Sequence, residues 1–315
     1  MSGGRFSMSI DEIGHPSTPN TFRSSVESLL QDPAALKARI DSALPSHSEA
    51  TIRLAENPPV SAGASAVLFL LGRLPGKDKA LGLYLNKRSA KVRQPGDLCC
   101  PGGSIAPGRD RFLAKLLRGP FSPLTRWAHW SFWRRHSDRQ AYFLSLLLAA
   151  GLRESFEEMR LNPLKVQFLG LLPTQRLVMF QRTIYPLVCW VRGRKRFQPN
   201  WEVEKIVYLP LRRLLDPGGY GRLRLVIRDS KIGTEIREFP CFVHREPGGS
   251  ERLWGATYRI TMTFLKRTFD FQPPPPAQLP LYEDTLAADY RTGDTRREEL
   301  ADRSAAGSWT SAHRK

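Results

Sequence analysis

GLRESFEEM, residues 151–159, places one arginine and three glutamates in a stretch that otherwise has the apolar pattern of a buried helix. Side chains three or four positions apart share a helical face, so Glu154, Glu157 and Glu158 are expected to project together. Three crowded carboxylates repel one another unless a cation or an arginine neutralises them, and hard divalent ions bind carboxylate oxygens. Taken alone, the pattern fits either a solvated acidic face or a metal site.

The composition indicates a globular protein with a strongly basic surface. The chain has 315 residues, of which 41% are hydrophobic, and this is enough for one substantial core with extensions. Its 48 lysines and arginines outnumber 30 aspartates and glutamates, which gives a formal net charge of +18. Such a charge favours polyanionic partners, namely nucleotides, nucleic acid or acidic membrane surfaces, and it says nothing about the fold.

The cysteines and the distribution of apolar residues bear on the compartment. Cys99 and Cys100 are adjacent, and neither they nor Cys189 and Cys241 form a C-x-x-C pair with histidines at zinc spacing. We therefore expect free thiols in a reducing compartment. Residues 1–24 hold no apolar signal segment, and the chain has no run of about 18 apolar residues. These features predict an intracellular protein, with the cytoplasm expected first and mitochondria or peroxisomes left open.

The chain is expected to have one folded domain with an extension at each end. Residues 1–24 are rich in Ser, Thr, Pro and Gly and are predicted to be disordered, and residues 25–63 have a helical pattern that is interrupted near Pro33. The folded domain is predicted to span residues 64–272. A Pro-rich, polar and disordered tail is predicted over residues 273–315.

Within the domain, apolar patterns predict both strands and helices, and hence an α+β fold. A helix is predicted over residues 138–161, with Ser137 or Asp138 as its N-cap. The segment QPGDLCCPGGS at 94–104 is typical of a strand entering a tight loop whose backbone closely approaches another group. Strands are predicted at 64–74, 81–89, 166–172, 182–191, 205–211, 222–229 and 235–244, and a final helix at 253–269.

Residues 105–138 form an insertion of a different character, rich in tryptophan and arginine. Trp127, Trp130 and Trp133 recur every three residues among arginines. Aromatic and cationic side chains in this mixture suit an interfacial membrane helix, a lid that stacks on an adenine, or an RNA-stacking surface. The tryptophans also fit simple packing of the insertion onto the domain, so a peripheral membrane or RNA contact is one of several hypotheses for this segment.

The order of strand, CCPGG loop and helix with R-E-x-x-E-E resembles the box of the Nudix hydrolases, G-x5-E-x7-R-E-U-x-E-E-x-G-U, where U is aliphatic. Gly103 matches one end of this box, and Arg153 to Leu161 match the other. The resemblance implies a Nudix α/β/α sandwich, in which a mixed β-sheet lies between helices. It also implies hydrolysis of a nucleoside diphosphate linked to another group, with Mg²⁺ or Mn²⁺ as the cofactor.

Flanking segments are similar to the coenzyme A pyrophosphatase branch of that family. LYLNKRSAKVRQPGDLCCPGG at 83–103 resembles the motif L-L-T-x-R-S-x3-R-x3-G-x3-F-P-G-G, with Arg88 and Arg93 in place. Later segments, NWEVEKIVYLPL at 200–211 and LWGATYRITMTFL at 253–265, resemble further parts of the family in the same order. The likeness therefore extends over most of the predicted domain.

The resemblance also assigns roles to residues of the box. Glu157 and Glu158 would be the main metal ligands, and the Gly103 carbonyl would complete the metal shell. Glu154 would be a further ligand or the catalytic base. Arg153 would pair with a glutamate and fix its rotamer.

Substrate contacts are expected on the loop that precedes the box. Arg88 and Arg93, beside Gly102 and Gly103, suit the pyrophosphate and the 3′-phosphate of coenzyme A, with a solvated basic loop as the alternative. Either Glu202 or Glu204 is a possible distal base, and each could equally be a surface residue of a strand. The implied reaction cleaves coenzyme A or acyl-coenzyme A to 3′,5′-ADP and 4′-phosphopantetheine or its acyl form.

The box is split in this chain. Arg153 follows Gly103 by 50 residues, where the family has 14. The first glutamate of the box would fall at Ser145, which is not an acid, so Asp110 or Asp138 is the candidate to compensate. The sequence alone does not choose between these two aspartates.

The end of the predicted helix differs from the family as well. Arg160 stands where the family has glycine. Glycine is favoured there because the residue after a helix usually takes the left-handed conformation. Asn162, which precedes Pro163, is the candidate to take over this cap.

Two further functions fit the same sequence. The same fold could act on another nucleoside diphosphate derivative, such as ADP-ribose, a dinucleotide or capped RNA. Alternatively, a catalytically weak Nudix-like domain could bind a nucleotide, RNA or a membrane through its basic insertion. The retained E-x-x-E-E favours an enzyme, whereas the split box and Ser145 favour a binding module.

Overall fold

Strand β1, Ala64–Arg73, lies at the centre of the larger sheet and is buried on both faces. Alternate residues of a strand point to opposite faces of the sheet. Leu68 and Leu70 accordingly pack into one apolar cluster, and Phe69 and Leu71 pack into a second cluster on the other side. A near-continuous apolar run of this kind is typical of a strand that helices cover on both faces.

The computed structural model describes residues 19–44, 63–76, 79–177, 182–193, 196–229, 233–247, 249–286 and 290. The helices in these ranges are α1 (Pro19–Gln31), α2 (Pro33–Ala43), α3 (Pro107–Leu117), α4 (Trp130–His136), α5 (Asp138–Met159), α6 (Leu211–Leu214) and α7 (Gly255–Phe269). The further strands are β2 (Leu81–Arg88), β3 (Leu98–Cys99), β4 (Gly102–Ser104), β5 (Val166–Leu171), β6 (Gln175–Leu177), β7 (Arg182–Val191), β8 (Val203–Pro210), β9 (Tyr220–Asp229), β10 (Gly233–Glu246), β11 (Gly249–Trp254) and β12 (Leu281–Leu286).

The strands and helices predicted from apolar patterns are present, with small shifts at their ends. The N-cap of α5 is Ser137, whose hydroxyl accepts a hydrogen bond from the Gln140 N–H at 3.3 Å. The predicted start of the final helix was wrong by two residues. Leu253 and Trp254 complete β11, because they pair with β10 before the chain turns into α7.

The larger sheet is mixed. Its main order is β3-β2-β1-β7-β5, with β4 paired to β1, β6 to β7 and β8 to β2. Strands β1 and β7 run parallel, and the other neighbours are antiparallel. The register pairs Ala66 with Gly103 and Val67 with Gly102, so the CCPGG loop lies directly beside β1.

Helices cover both faces of this sheet. Helix α5 lies on one face, where Leu147 and Leu148 share an apolar cluster with Leu68. Helices α2 and α7 lie on the other face, where Leu36 and Phe264 share a cluster with β1. The α+β fold with a mixed β-sheet between helices is therefore confirmed, in the α/β/α layering that the resemblance implies.

The C-terminal segment was predicted to be disordered from residue 273, and this prediction was wrong for part of it. Strand β12 pairs in parallel with β9 and completes a smaller sheet of order β11-β10-β9-β12. Tyr282 and Leu286 pack against the apolar cluster of that sheet, and Tyr290 is buried. Residues 287–289 and 291–315 lie outside the described part.

The N-terminal extension is helical, as predicted, but it begins earlier. Helix α1 starts at Pro19, inside the segment 1–24 that was predicted to be disordered. The break expected near Pro33 lies at Asp32, whose side chain accepts a hydrogen bond from the Ala34 N–H at 2.8 Å and caps α2. Residues 1–18 and 45–62 lie outside the described residues.

The tryptophans of the insertion point into the domain. Trp130 and Trp133 are 4% and 1% exposed and join the apolar cluster beneath α5. Trp127 packs edge-on against Phe168, with 4.9 Å between ring centroids. The burial of Trp130 and Trp133 favours packing of the insertion onto the domain, and a membrane, adenine or RNA contact of this segment stays a hypothesis. In the described ranges, no helix combines the length and apolarity needed to cross a membrane.

Candidate metal and phosphate site

The CCPGG loop meets α5 through two glycines. Gly102 has a φ of 137°, and a Cβ there would lie 2.3 Å from the Ala66 carbonyl oxygen. A Cβ on Gly103 would lie 2.7 Å from Cδ of Glu154. Glycine therefore allows the loop backbone to approach both β1 and the helix carboxylate closely. The two ends of the split box do meet in space.

Glu158 is held against this loop by two hydrogen bonds. Its Oε2 accepts from the Gly102 N–H at 3.0 Å and from Nδ2 of Asn86 at 2.9 Å. Burial raises the pKa of Glu158 to about 8; the negative charges of Glu154 and Glu202 add to this rise, and the Gly102 N–H opposes it. Oδ1 of Asn86 is buried without a hydrogen-bond partner among the residues described. A carboxylate in such surroundings favours a proton or a cation beside it.

Glu154 lies inward beside Glu158, one helical turn away. Its Oε1 is 2.9 Å from Nη1 of Arg153. Burial raises the pKa of Glu154, the positive charge of Arg153 opposes this, and the negative charges of Glu157 and Glu202 add to it. Glu154 and Glu202 also act on Glu158, so Glu154, Glu158 and Glu202 form a trio of neighbouring carboxylates with Glu157 beside Glu154.

Glu157 lies toward the rim of this group, where its Oε2 is 3.6 Å from Nη1 of Arg153. Its side chain is 42% exposed, and its Oε1 lies 3.3 Å from Nη1 of Arg109 in the insertion. Over the described ranges, no group of three or more His, Cys, Asp or Glu side chains is arranged to hold a metal ion. Glu154 and Glu158 contact the CCPGG loop and Glu157 lies at the rim, and the role of the three glutamates as metal ligands stays a prediction.

Arg153 is anchored by an aspartate of the insertion. Its Nε donates to Oδ1 of Asp110 at 2.7 Å, and its Nη2 donates to the Ser104 carbonyl at 3.0 Å. Asp110 is fully buried, and its Oδ2 also accepts from the Ala106 N–H at 2.5 Å. The side chain of Arg153 is only 8% exposed. This ion pair therefore fixes α3 to α5 and holds Arg153 beside Glu154.

Of the two aspartates considered as replacements for the missing glutamate, Asp110 is the one in place. Asp138 pairs instead with Arg118, and its side chain is 72% exposed. Ser145 is buried and donates to the Tyr142 carbonyl at 2.7 Å. Asp110 of the insertion is therefore the aspartate of these two that pairs with Arg153.

Glu202 approaches the site from the segment before β8. The Asn200 N–H donates to the Glu158 carbonyl at 2.8 Å, which fixes this segment beside the end of α5. Glu204, the neighbouring candidate, instead forms an ion pair with Lys87 at 3.1 Å. Glu202 therefore lies near Glu154 and Glu158, whereas Glu204 lies beside Lys87 on a different surface.

The two predicted substrate arginines lie on one loop after β2. Nε of Arg88 donates to the Arg93 carbonyl at 2.6 Å, which closes the loop. The positive charge of Arg88 partly offsets the burial that raises the pKa of Glu158, so Arg88 lies at the site. The Arg93 side chain is exposed at the rim.

The same loop is held by residues that the sequence did not indicate. Asp97 accepts hydrogen bonds from Nε1 of Trp254 at 3.1 Å and from the Tyr290 hydroxyl at 2.5 Å. Burial raises the pKa of Asp97 to about 6, against the effect of these two hydrogen bonds. The Gln94 N–H donates to the Tyr290 carbonyl at 2.9 Å. No local pattern could link these positions, because Trp254 and Tyr290 are far from Asp97 in the sequence.

Tyr290→Phe is expected to lower the free energy of unfolding by about 1–3 kcal/mol, because the buried Asp97 carboxylate loses a hydrogen-bond donor. Urea unfolding monitored by fluorescence measures the change. Tyr282→Phe on β12 serves as the control and is expected to leave stability within about 0.5 kcal/mol. Equal stability of the Tyr290 variant and the wild type would show that the C-terminal segment does not hold this loop.

Of the known proteins compared with this chain, only solved structures are similar to it. No family model and no curated protein matches the chain. The chain is similar to a Nudix hydrolase from Alicyclobacillus acidocaldarius, with 15% identity, 49% of this chain and 82% of that chain covered, and a TM-score of 0.32. It is also similar to the M. smegmatis Nudix hydrolase RenU, with 14% identity, 48% and 73% covered, and a TM-score of 0.30. A C. elegans Ap4A hydrolase shares 15% identity, with 47% and 80% covered and a TM-score of 0.29.

The raised pKa of Glu158 predicts a coupling between pH, metal and stability. Its folded-state pKa of about 8 exceeds the ordinary value of 4.5, so the folded protein binds a proton that the unfolded chain releases between these values. The contribution of Glu158 to the stability of the folded protein is therefore present at low pH and is lost as pH rises through about 8. We expect Mg²⁺ to raise Tm more at pH 8.5 than at pH 6, because the cation then replaces the lost proton.

Thermal unfolding with EDTA or with Mg²⁺ at both pH values measures this coupling. Glu158→Gln is the control, since it removes the titrating group, and is expected to remove the pH dependence of the Mg²⁺ effect. A Mg²⁺ effect of the same size at both pH values in the wild type would contradict a cation at Glu158.

Proposed function

We propose that this protein is a Nudix hydrolase that uses Mg²⁺ or Mn²⁺ to cleave the pyrophosphate of coenzyme A or acyl-coenzyme A to 3′,5′-ADP and (acyl-)4′-phosphopantetheine. The observation that carries the proposal is the hydrogen bond of 3.0 Å from the Gly102 N–H to Glu158. It joins the loop and the helix of the motif across the insertion. The motif is therefore split in sequence but continuous in space.

The carboxylates at this junction suit a divalent cation. The negative charges of Glu154 and Glu202 add to the rise in the pKa of Glu158, and a cation beside Glu158 would relieve that repulsion. Glu157 at the rim and the Gly103 carbonyl are the further ligands that the family pattern supplies. A bound ion would neutralise phosphate oxygens and lower the pKa of a bound water.

The residues of the chain have separate tasks in this reaction. Arg153, fixed by Asp110, holds Glu154 in its inward rotamer. Glu154 and Glu202 are the candidates to accept the proton of the attacking water, because both carboxylates lie at the site. The glycine loop excludes side chains from the space in front of them.

The substrate class is supported at two levels. A pyrophosphate between carboxylate-bound cations and a basic loop suits any nucleoside diphosphate derivative. The narrower choice of coenzyme A is supported by the loop motif that places Arg88 at the site and Arg93 at its rim. ADP-ribose, dinucleotides and capped RNA are the competing substrates.

The test is a hydrolysis assay with purified full-length protein, Mg²⁺ or Mn²⁺, and coenzyme A, acetyl-coenzyme A, ADP-ribose, NADH and capped RNA. We expect 3′,5′-ADP to form from coenzyme A, and EDTA to stop the reaction. Faster turnover of ADP-ribose or capped RNA would support the proposed hydrolase activity and would contradict coenzyme A as its substrate. No turnover of any substrate, with nucleotide binding unchanged in Glu158→Gln, would reject the enzyme.

A further inference from the structure

A basic cavity lies beside the end of α5, next to the carboxylate site and separate from it. Its volume is about 220 Å³, and its lining includes Arg160, Lys165, Arg196 and Phe197. None of the described residues that line it is acidic, so the charge around it is positive. The volume is below the roughly 300–1,000 Å³ of sites for whole organic ligands, which suits a phosphate group better than an entire nucleotide.

Arg160 occupies this cavity at a conformational cost. It has a φ of 57° and a ψ of 37°, the left-handed conformation in which glycine is favoured because it has no Cβ. Arg160 takes this cap itself, and Asn162, the candidate for the task, instead caps the following short turn by accepting from the Leu164 N–H at 2.9 Å. A strained residue that keeps a long charged side chain points to a function of that side chain.

The guanidinium of Arg160 is also held in place. It lies over the ring of Phe156, with 5.4 Å to the ring centroid. A cation above an aromatic face is stabilised by the electron-rich face of the ring. This contact restricts the orientation of the guanidinium at the edge of the cavity, which Arg160 lines.

The cavity shares a wall with the carboxylate site. The Gln198 N–H donates to the Met159 carbonyl at 3.2 Å, and the Asn200 N–H donates to the Glu158 carbonyl at 2.8 Å. One short segment thus lines the cavity at residues 196–198 and carries Glu202 to the carboxylates. A ligand that spans both sites would have its pyrophosphate at one and a second phosphate at the other.

We propose that this cavity, in place of the loop of Arg88 and Arg93, binds a phosphate monoester of the nucleotide substrate, with Arg160, Lys165 and Arg196 as its cationic contacts. Arginine and lysine are the side chains that bind phosphate most strongly, and arginine does so with paired hydrogen bonds. That the phosphate belongs to the substrate rests on the proposed function. Free inorganic phosphate has the same chemistry and would use the same residues.

The test measures binding of 3′,5′-ADP and of inorganic phosphate to the full chain by titration calorimetry in the absence of metal. Arg160→Gly is expected to weaken the binding of 3′,5′-ADP at least about tenfold, because glycine removes the charge. We expect Tm to stay constant or rise, because glycine also removes the backbone strain. Asp270→Gly is the matched control. Asp270 also takes the left-handed cap of a helix, with a φ of 53°, but on the opposite face of the sheet.

Unchanged affinity in Arg160→Gly, or an affinity loss accompanied by a lower Tm, would overturn the proposal. Lys165→Ala is a second test of the cavity, and we expect it to weaken the binding of 3′,5′-ADP as well. A higher KM in Arg160→Gly for coenzyme A but not for dephospho-coenzyme A would identify the phosphate as the substrate's own. If the wild type hydrolyses nothing and Arg160-dependent binding persists, the phosphate site stands and the proposed function fails.

Discussion

Replacing Glu158 with glutamine is expected to reduce kcat for coenzyme A hydrolysis by about a hundredfold to ten-thousandfold without unfolding the protein. Glutamine keeps the size of the side chain, and its carbonyl oxygen can still accept from Gly102 and Asn86. What it removes is the negative charge that the proposed cation needs. The measurement is kcat with saturating Mg²⁺, together with Tm for the same sample.

Glu157→Gln is the matched control, because it makes the same chemical change one position away on the same helix. Glu157 is at the rim and pairs with Arg109, so we expect a smaller loss, about tenfold. An equal loss in both variants would show that Glu157 turns inward when the cation binds. That result would support the prediction from the sequence that Glu157 is a main metal ligand.

Local sequence patterns correctly predicted most of the helices and strands of the fold. Strand β1 and helix α5 are recognisable because their periodic apolar residues lie close together in sequence, and each period matches one kind of element. The meeting of Gly102 with Glu158 could be expected only from the resemblance to a known box. Nothing in the spacing itself brings together two positions that a 50-residue interval separates.

Long-range contacts account for what the sequence did not predict. Strand β12 has a polar sequence that is typical of a disordered tail, and its order comes from backbone pairing with β9. The sequence left open whether the tryptophans of the insertion form an exposed surface or pack onto the domain, and the structure shows Trp130 and Trp133 in the apolar cluster beneath α5. The composition of a segment gives the amount of its apolar surface. It does not show which residues cover that surface in the folded protein.

Asp110→Ala is expected to destabilise the protein and to weaken catalysis through Arg153. The aspartate is fully buried and Arg153 is 8% exposed, so removing one partner leaves a buried charge without its main counter-ion. Breaking such a pair costs about 3–5 kcal/mol, which corresponds to a fall in Tm of roughly 6–20 °C. Differential scanning fluorimetry measures the fall. Turnover at a temperature where the variant remains folded separates the loss of catalysis from unfolding.

Asp138→Ala provides the control for this prediction, since both aspartates were candidates to replace the missing acid of the box. Asp138 pairs with Arg118 at the surface, where an ion pair contributes at most about 1 kcal/mol, and Asp138 does not contact Arg153. We therefore expect near-normal Tm and turnover for this variant. If Asp138→Ala lost as much activity as Asp110→Ala, the insertion would matter as a whole and Asp110 would not be its anchor. If only Asp110→Ala fails, the insertion is part of the catalytic framework, because it carries the side chain that keeps Arg153 beside Glu154.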